Sequence, residues 1–335
     1  HPAMLLSMSW LGSCCTPREG DDFPDGVISL QAQRSVQGDS EAEEAFFDCC
    51  ETETDLRTLR SQGLRRETDD LRPGAHEARR AAADCCSELA AATAVLTHTK
   101  EQWQLIQGNL NPELDWVTIM NARRMLKANM GKVPKAVDMF LQALEFRARD
   151  RKLFETLSCE ANCDIRVIGR DRKDHPVVYM CANSQNSGLR GIRDQFVVTF
   201  ETACKMTSED GKVVFIVDMF GVKPHLCMDF VAMKEMTDIL GCVFAERIHK
   251  IVTIDLATAA WWMLKPCLCE ATQKKFSFIP VSKAVETLRE EFASGTWNTI
   301  QSTFDINRSS STVEERADHA RRTTYSEPAG SPNPE

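Results

Sequence analysis

Four short apolar runs constrain this chain more than any other feature. PVVYMC (176–181), VVFIVD (213–218), KIVTIDL (250–256) and FSFIPV (276–281) are rich in β-branched and aromatic residues and nearly unbroken by charge. Runs of this length and composition suit strands buried on both faces of a parallel sheet. Between them, apolar residues return at helical spacing: Leu189, Ile192, Phe196, Phe200 and Ala203, then Phe230, Met233, Thr237, Leu240 and Phe244. Strand–helix–strand alternation predicts an α/β fold, a mostly parallel sheet with helical crossovers.

Upstream the pattern is helical throughout. The Ala-rich stretch 75–107 reads as a linker or lead-in helix, and Asn111-Pro112-Glu113 is a start signal for a helix running from Trp116 to Asn129. Gly131 breaks that helix. Val133, Ala136, Val137, Phe140, Leu141 and Leu144 then mark a second amphipathic helix to about Arg151. Residues 121–152 carry nine basic side chains against three acidic ones, a solvated helix face or a surface that meets anionic membrane.

Charge divides the chain unevenly. Residues 1–88 hold 18 acids, 9 arginines and no lysine, so the whole net charge of −9 sits there. This acidic arm has no sustained periodicity and is expected to be largely disordered, which argues against nucleic-acid binding by that segment. The expected organisation is an acidic arm (1–88), a small helical domain (89–155), an α/β domain (156–300) and a disordered tail (301–335). Six of the fourteen cysteines form vicinal pairs and the rest are scattered through apolar stretches, a spacing that fits a reducing, cytosolic setting better than a disulfide framework.

Motifs for catalysis are absent. No G-x-G-x-x-G follows a strand, and there is neither a phosphate-binding loop nor a G-x-S-x-G elbow. Cys159/Cys163 and Cys267/Cys269 lack partner pairs at zinc-site spacing. His175, His225 and His249 stand apart in sequence. Asp218 and Asp255 both fall at C-terminal ends of strand runs, where open α/β sheets hold their ligands; they could serve as an acid/base pair or as caps of the loops that follow.

The apolar excess gathers in IVTIDLATAAWWML, Ile251 to Leu264. Fourteen residues with an aspartate inside fall short of the ~20 that a membrane-spanning helix needs. Consecutive helical residues point about 100° apart, so Trp261 and Trp262 cannot both enter one narrow core. Either this helix is buried all round or one side meets an apolar cavity, a lipid or a membrane.

The order of motifs resembles the CRAL-TRIO lipid-binding family. RMLKANMGKVPKAVDMFLQALEFR (124–147) is similar to that family's N-terminal helical signature, closing on Phe146-Arg147. DRKDHPVVYM (171–180) resembles its D-x-x-x-R-P-V-x-Y strand with His175 in place of arginine. VFIVDMFGV (214–222) resembles the strand ending in Asp-x-x-Gly, FAERIHKIVTIDLA (244–257) the Y-P-E-R strand entry, and LKPCL (264–268) the K-P-F-L that follows. Asn129 replaces an arginine of phosphoinositide-binding members, Asp255-Leu256-Ala257 replaces Asn-Ala-Pro, and the C-terminal Pro-x-x-x-Gly-Gly element is reduced to Ser294-Gly295.

The resemblance implies a deep apolar pocket on the sheet, closed by a mobile gate helix at about 257–268. It implies pocket and gate residues Tyr179, Phe215, Val217, Ile254, Trp261, Trp262, Met263 and Leu264. It also implies a headgroup site at Glu246, Arg247, Thr272 and Lys275, where an ammonium meets phosphate and a carboxylate accepts inositol hydroxyls or orients the lysine. The expected protein is a cytoplasmic, non-enzymatic monomer, peripheral to membranes, with no cofactor beyond a bound lipid and no nucleic-acid partner. It is expected to bind phosphatidylinositol or another phospholipid and to meet a membrane surface transiently. The alternatives are a lipid-sensing interaction module without transfer activity and an enzyme using Asp218 and Asp255.

Overall fold

The computed structural model of the chain describes residues 73–325 apart from 109–110, 208–210, 228 and 269; the acidic arm before residue 73 lies outside the described residues. Contacts divide the chain near residue 87, and apart from residues 73–86, which begin the first helix, every feature below belongs to the unit that contains Ser87–Glu335.

The helical part begins with α1 (Pro73–Gln107), whose Ala92, Val95, Thr99 and Trp103 recur every three or four residues and are fully buried. Asn111 starts a 3₁₀ turn, Pro112–Trp116, by accepting from the Glu113 amide at 3.0 Å. Thr118 then caps α2 (Ile119–Ala128). Gly131, at φ 78, makes the tight reversal that returns the chain into α3 (Val133–Arg149). A short α4 (Arg151–Thr156) follows. Phe146-Arg147, singled out in the sequence, has a joining role. The Arg147 guanidinium sits 4.7 Å from the Trp116 ring and 4.1 Å from that of Phe154, and it grips both oxygens of Glu201, in the helix Leu189–Lys205 of the following domain, at 3.1 Å.

Five strands form one sheet in the order β1 (Asp164–Arg170), β2 (Pro176–Cys181), β3 (Val213–Asp218), β4 (Ile248–Ile254) and β5 (Phe276–Ile279). β2 to β5 run parallel, while β1 pairs antiparallel with β2. The four parallel strands are the four apolar runs of the sequence. β1 is additional: it alternates Asp164, Arg166 and Arg170 with apolar residues, so it carries no continuous apolar signal. Between strands lie α5 (Leu189–Lys205), a single turn α6 (Pro224–Cys227), α7 (Phe230–Cys242), α8 (Thr258–Leu264) and the single turn α9 (Glu270–Gln273). The chain then forms α10 (Val281–Glu291), α11 (Ser294–Arg308) and α12 (Val313–Thr323).

Register fixes which side chains share a face. Val178, Phe215 and Ile251 are neighbours across three strands and belong to one core, with Phe196 and Phe200 of α5 and Ile239 of α7. Tyr179, Ile216 and Val252 form the adjacent row, and they belong to the other core with Leu288 of α10 and Trp297, Ile300 and Phe304 of α11. That second face is pinned by a buried ion pair. Asp218, with no solvent exposure, accepts from Arg308 Nη1 and Nη2 at 2.6 and 2.8 Å and from the Tyr179 hydroxyl at 2.9 Å.

The C-terminus departs from expectation. The tail expected to be disordered over 301–335 instead continues α11 to Arg308 and then forms α12. Thr312 and Glu315 form a capping box for α12, and beyond it the Tyr325 amide donates to the Val167 carbonyl on edge strand β1 at 2.8 Å. Residues 326–335 lie outside the described residues. Removing one partner of a buried pair strands the other charge. Arg308→Met is therefore expected to cost about 3–5 kcal/mol of unfolding free energy, measured by urea denaturation, whereas Arg316→Met on α12 leaves the midpoint nearly unchanged.

Candidate functional site

On the face formed by Phe215 and Val217 lies a cavity of about 230 Å³. Its floor is Met180 of β2, Phe215 and Val217 of β3, Ile251 and Thr253 of β4 and Phe276 of β5. Met233, Met236 and Leu240 of α7 wall one side, and Ala260 and Leu264 of α8, with Leu268, close another. Among the described residues no titratable side chain lines it. Of its few polar groups, Thr253 already donates to the Ser277 carbonyl at 3.2 Å. Such a lining offers burial to an apolar ligand and has no nucleophile, acid or base to act on it.

The expected pocket residues separate by strand parity. Phe215, Val217 and Leu264 line the cavity. Tyr179 and Ile254 do not: both lie in the core on the opposite face, a correction that follows from the alternation of side chains along a strand. Trp261 packs against Phe276 and Phe278, ring centroids 5.0 and 4.8 Å away, and so braces the outside of the gate. Trp262 is 65% exposed, with the Lys265 ammonium 5.3 Å from its ring. The Met263 side chain lies outside the described residues. Sequence reading missed Met180, Ile251, Thr253 and Phe276 on the floor and the methionines of α7. The strand residues were recoverable by stepping two positions from Val217 and across the register.

The expected headgroup residues also separate. Glu246, immediately before β4, has a left-handed backbone, φ 57, and a side chain that is 16% exposed. Lys275 Nζ lies 3.4 Å from its Oε1 and Lys127 Nζ 4.0 Å from its Oε2, while the Lys212 ammonium donates to its backbone carbonyl. Burial holds the Lys212 pKa below the ordinary lysine value despite Glu246, and Lys127, Lys275 and Arg124 push it the same way. Thr272 accepts the Lys275 amide through its carbonyl at 3.0 Å, which ends the α9 turn and sets the lysine's position. Arg247 turns the other way. It is buried and donates to the Cys204 carbonyl at 2.7 Å, inside a separate polar cavity of about 450 Å³ that also contains Arg124, Arg147, Arg151, Glu113 and Glu201. Arg247 is a packing residue beside the site rather than part of it.

The candidate acid/base pair is not a pair. Asp218 is held in the ion pair on the far face. Asp255, at φ 54, accepts from the Val281 amide at 2.7 Å and so serves the start of α10. His175 and His249 do meet, with ring centroids 4.5 Å apart. A β-bulge between β3 and β4 re-aims His249, and Asp171 Oδ2 lies 2.8 Å from His175 Nδ1. Among the described residues no group of three or more His, Cys, Asp or Glu is placed to hold a metal ion, and no helix is long and apolar enough to cross a membrane.

A mostly parallel sheet, helices before it, and one face flooring an apolar cavity under a short helix define an α/β domain for a hydrophobic ligand. Residues 165–296 match the CRAL/TRIO domain. That match spans less than half of the chain, and the CRAL/TRIO family consists of lipid-binding proteins that are generally non-enzymatic. Among solved structures, a crystal structure of Sfh5 is similar at 15% identity and TM-score 0.43, covering 64% of this chain and 97% of that one. No curated protein sequence matches.

The His249 imidazole has its pKa lowered, first by burial and then by His175 and Lys173. The neutral form is therefore favoured in the folded state. Stability is full above about pH 6.5, the unfolded histidine value, and falls as the pH drops below it, because the unfolded chain takes up a proton that the folded one resists. His249→Phe is expected to flatten the fall in urea midpoint between about pH 6.5 and 5 relative to the parent chain.

Proposed function

We propose that this protein binds a phospholipid, phosphatidylinositol or a related lipid, with acyl chain in the apolar cavity and headgroup toward Glu246 and Lys275, and that it carries the lipid between membranes. The observation that bears most weight is the cavity itself: among the described residues it has no titratable lining, and a seven-residue helix with an exposed tryptophan covers it. Burying methylene groups is worth about 0.8 kcal/mol each, so a chain of about sixteen carbons supplies ample driving force. Phe230 and Val231 at the start of α7 are exposed, as is Trp262, and both α7 and α8 border the cavity. An apolar rim of this kind costs less at a lipid interface than in water, and tryptophan favours that interface.

One observation favours a second reading. At about 230 Å³ the cavity lies below the ~300–1,000 Å³ typical of small-molecule sites. A lipid with two chains requires α8 to move, and a protein whose gate moves only rarely senses or retains lipid without transferring it. Retention without exchange between vesicles identifies that alternative.

Native mass spectrometry of the purified chain is expected to show a bound mass in the phospholipid range that organic extraction removes. Met233→Trp, which fills the cavity from α7, is expected to lower lipid content several-fold with an unchanged thermal midpoint. A parent protein free of lipid, and unable to take it from vesicles, sinks the proposal. Trp262→Ala is expected to weaken association with phospholipid vesicles roughly tenfold, read by co-sedimentation, and to leave the content of already bound lipid unaltered.

A further inference from the structure

Past the carboxyl ends of β2 and β3 lies a further cavity, of about 310 Å³, that shares no lining residue with the apolar one. The turn that follows β2 separates them: Ala182 and Gln185 line the apolar cavity, Asn183, Ser184 and Asn186 this one. Open α/β sheets hold their ligands at this end of their strands, and the volume falls within the ~300–1,000 Å³ usual for small-molecule sites. The start of β1 supplies one wall and α12 another, so the helix in the polar C-terminal stretch completes the cavity.

Charge in this lining is lopsided. Among the described residues four cationic side chains, Arg166, Lys223, Arg316 and Arg321, meet one carboxylate, Asp164. Two of the four are neutralised: Arg166 Nε donates to Asp164 Oδ1 at 2.7 Å, and Arg321 pairs with Asp318 one turn earlier on α12. Lys223 Nζ donates to the Gln185 carbonyl at 3.0 Å and Arg316 Nη1 to the Ser311 carbonyl at 2.7 Å. Neither has a carboxylate within ion-pair distance among the described residues, so an excess of two positive charges remains. A second observation is independent of charge. The Ser184 hydroxyl, buried in the same lining, has no hydrogen-bond partner. Such a group costs free energy, and a fold keeps one where a ligand or an ordered water completes it. The inner wall is also set in advance, since Arg166 donates to the hydroxyls of Thr323 and Thr303 as well as to Asp164.

We propose that this cavity binds a dianionic phosphate group from solution, either the free ion or a small water-soluble ester, held by Lys223 and Arg316 with the Ser184 hydroxyl as a further donor. A phosphate monoester carries about −1.5 to −2 at neutral pH and three acceptor oxygens. Its charge balances the excess of two, and its oxygens match one ammonium, one guanidinium and one hydroxyl. A dicarboxylate of equal charge divides that charge between two ends and brings only half of it to any one point. The site stands apart from the function proposed above, because the two cavities have no residue in common.

The test is calorimetric titration of the full chain with inorganic phosphate, glycerol 3-phosphate and succinate at about pH 7.5, where a phosphate monoester is largely dianionic. At least one of the two phosphates is expected to bind with a Kd of about one millimolar or tighter, and succinate more weakly. Lys223→Met and Arg316→Met are each expected to weaken phosphate binding roughly tenfold, the scale of one charge-assisted hydrogen bond. Arg321→Met, at an arginine already paired with Asp318, is expected to change it by about twofold or less. The urea midpoint, which Arg316→Met leaves in place, separates loss of the site from loss of the fold. Binding of inorganic phosphate alone makes the free ion the ligand, and glycerol 3-phosphate binding as tightly or more so makes it an ester; either upholds the site. Succinate binding as tightly as phosphate overturns the phosphate assignment. Affinity that survives both methionine variants overturns the location, and no binding of either phosphate at millimolar concentration overturns the proposal outright. None of these outcomes bears on lipid binding, which native mass spectrometry reads separately.

Discussion

Along β3 each side chain must point to one face of the sheet or the other, and the two faces are finished differently. Val214, Ile216 and Asp218 meet a face covered by α10 and α11; Phe215 and Val217 meet a face where a cavity remains beside α5 and α7. The cavity is this difference in filling. Its existence depends on the far face being closed, because a sheet open on both sides would expose its apolar rows to water. The Asp218–Arg308 pair, with Tyr179 and Asn307 beside it, holds the last turn of α11 against the strand end and so holds that face shut. A buried ion pair is a poor source of net stability, since desolvation offsets much of the attraction, yet it admits only one arrangement of the helix that carries it.

The cavity face has the opposite character. Its helices contribute methionine and leucine, side chains that repack around irregular ligands, and its cover is a single short helix. Trp261 braces that cover on Phe276 and Phe278, and Trp262 stays in solvent on the outer side. The two consecutive tryptophans are thus divided by the 100° turn between them, one anchoring the gate and the other exposed at its outer surface.

Charge follows the same division. At the carboxyl end of β3 the acid and its arginine neutralise each other in the core. At the amino ends of β3, β4 and β5 three lysines outnumber the one glutamate, whereas nearby the Arg147–Glu201 pair binds the helical segment to the sheet domain and the Arg151–Glu113 pair ties the helical segment to itself. Balanced pairs keep the architecture together, while at this cluster one glutamate serves three lysines.

Much of this was legible in the residues. The four apolar runs identify the parallel strands nearly residue for residue, a start signal at Asn111-Pro112-Glu113 points to α2, the 3.6-residue periodicity places α3, α5 and α7, and Glu246 and Lys275, both singled out in the sequence, form an ion pair. What sequence could not supply was which face each strand residue joins: Tyr179 and Val217 look equally apolar, and only the register across β2, β3 and β4 sends them to opposite sides. It could not show β1, whose alternation with charge hides a strand that pairs on one edge, nor bring Lys127 and Lys212 to Glu246, since these residues are 119 and 34 positions apart. The polar C-terminal stretch carried its capping box in plain view at Thr312 and Glu315, but its helix is held by contact with β1 and α11, which composition does not reveal. Local propensity and periodicity are properties of neighbours in the chain, and they determined the elements. Facing, cavity and charge cluster arise between residues distant in sequence, and only the packing of the sheet against its helices decided them.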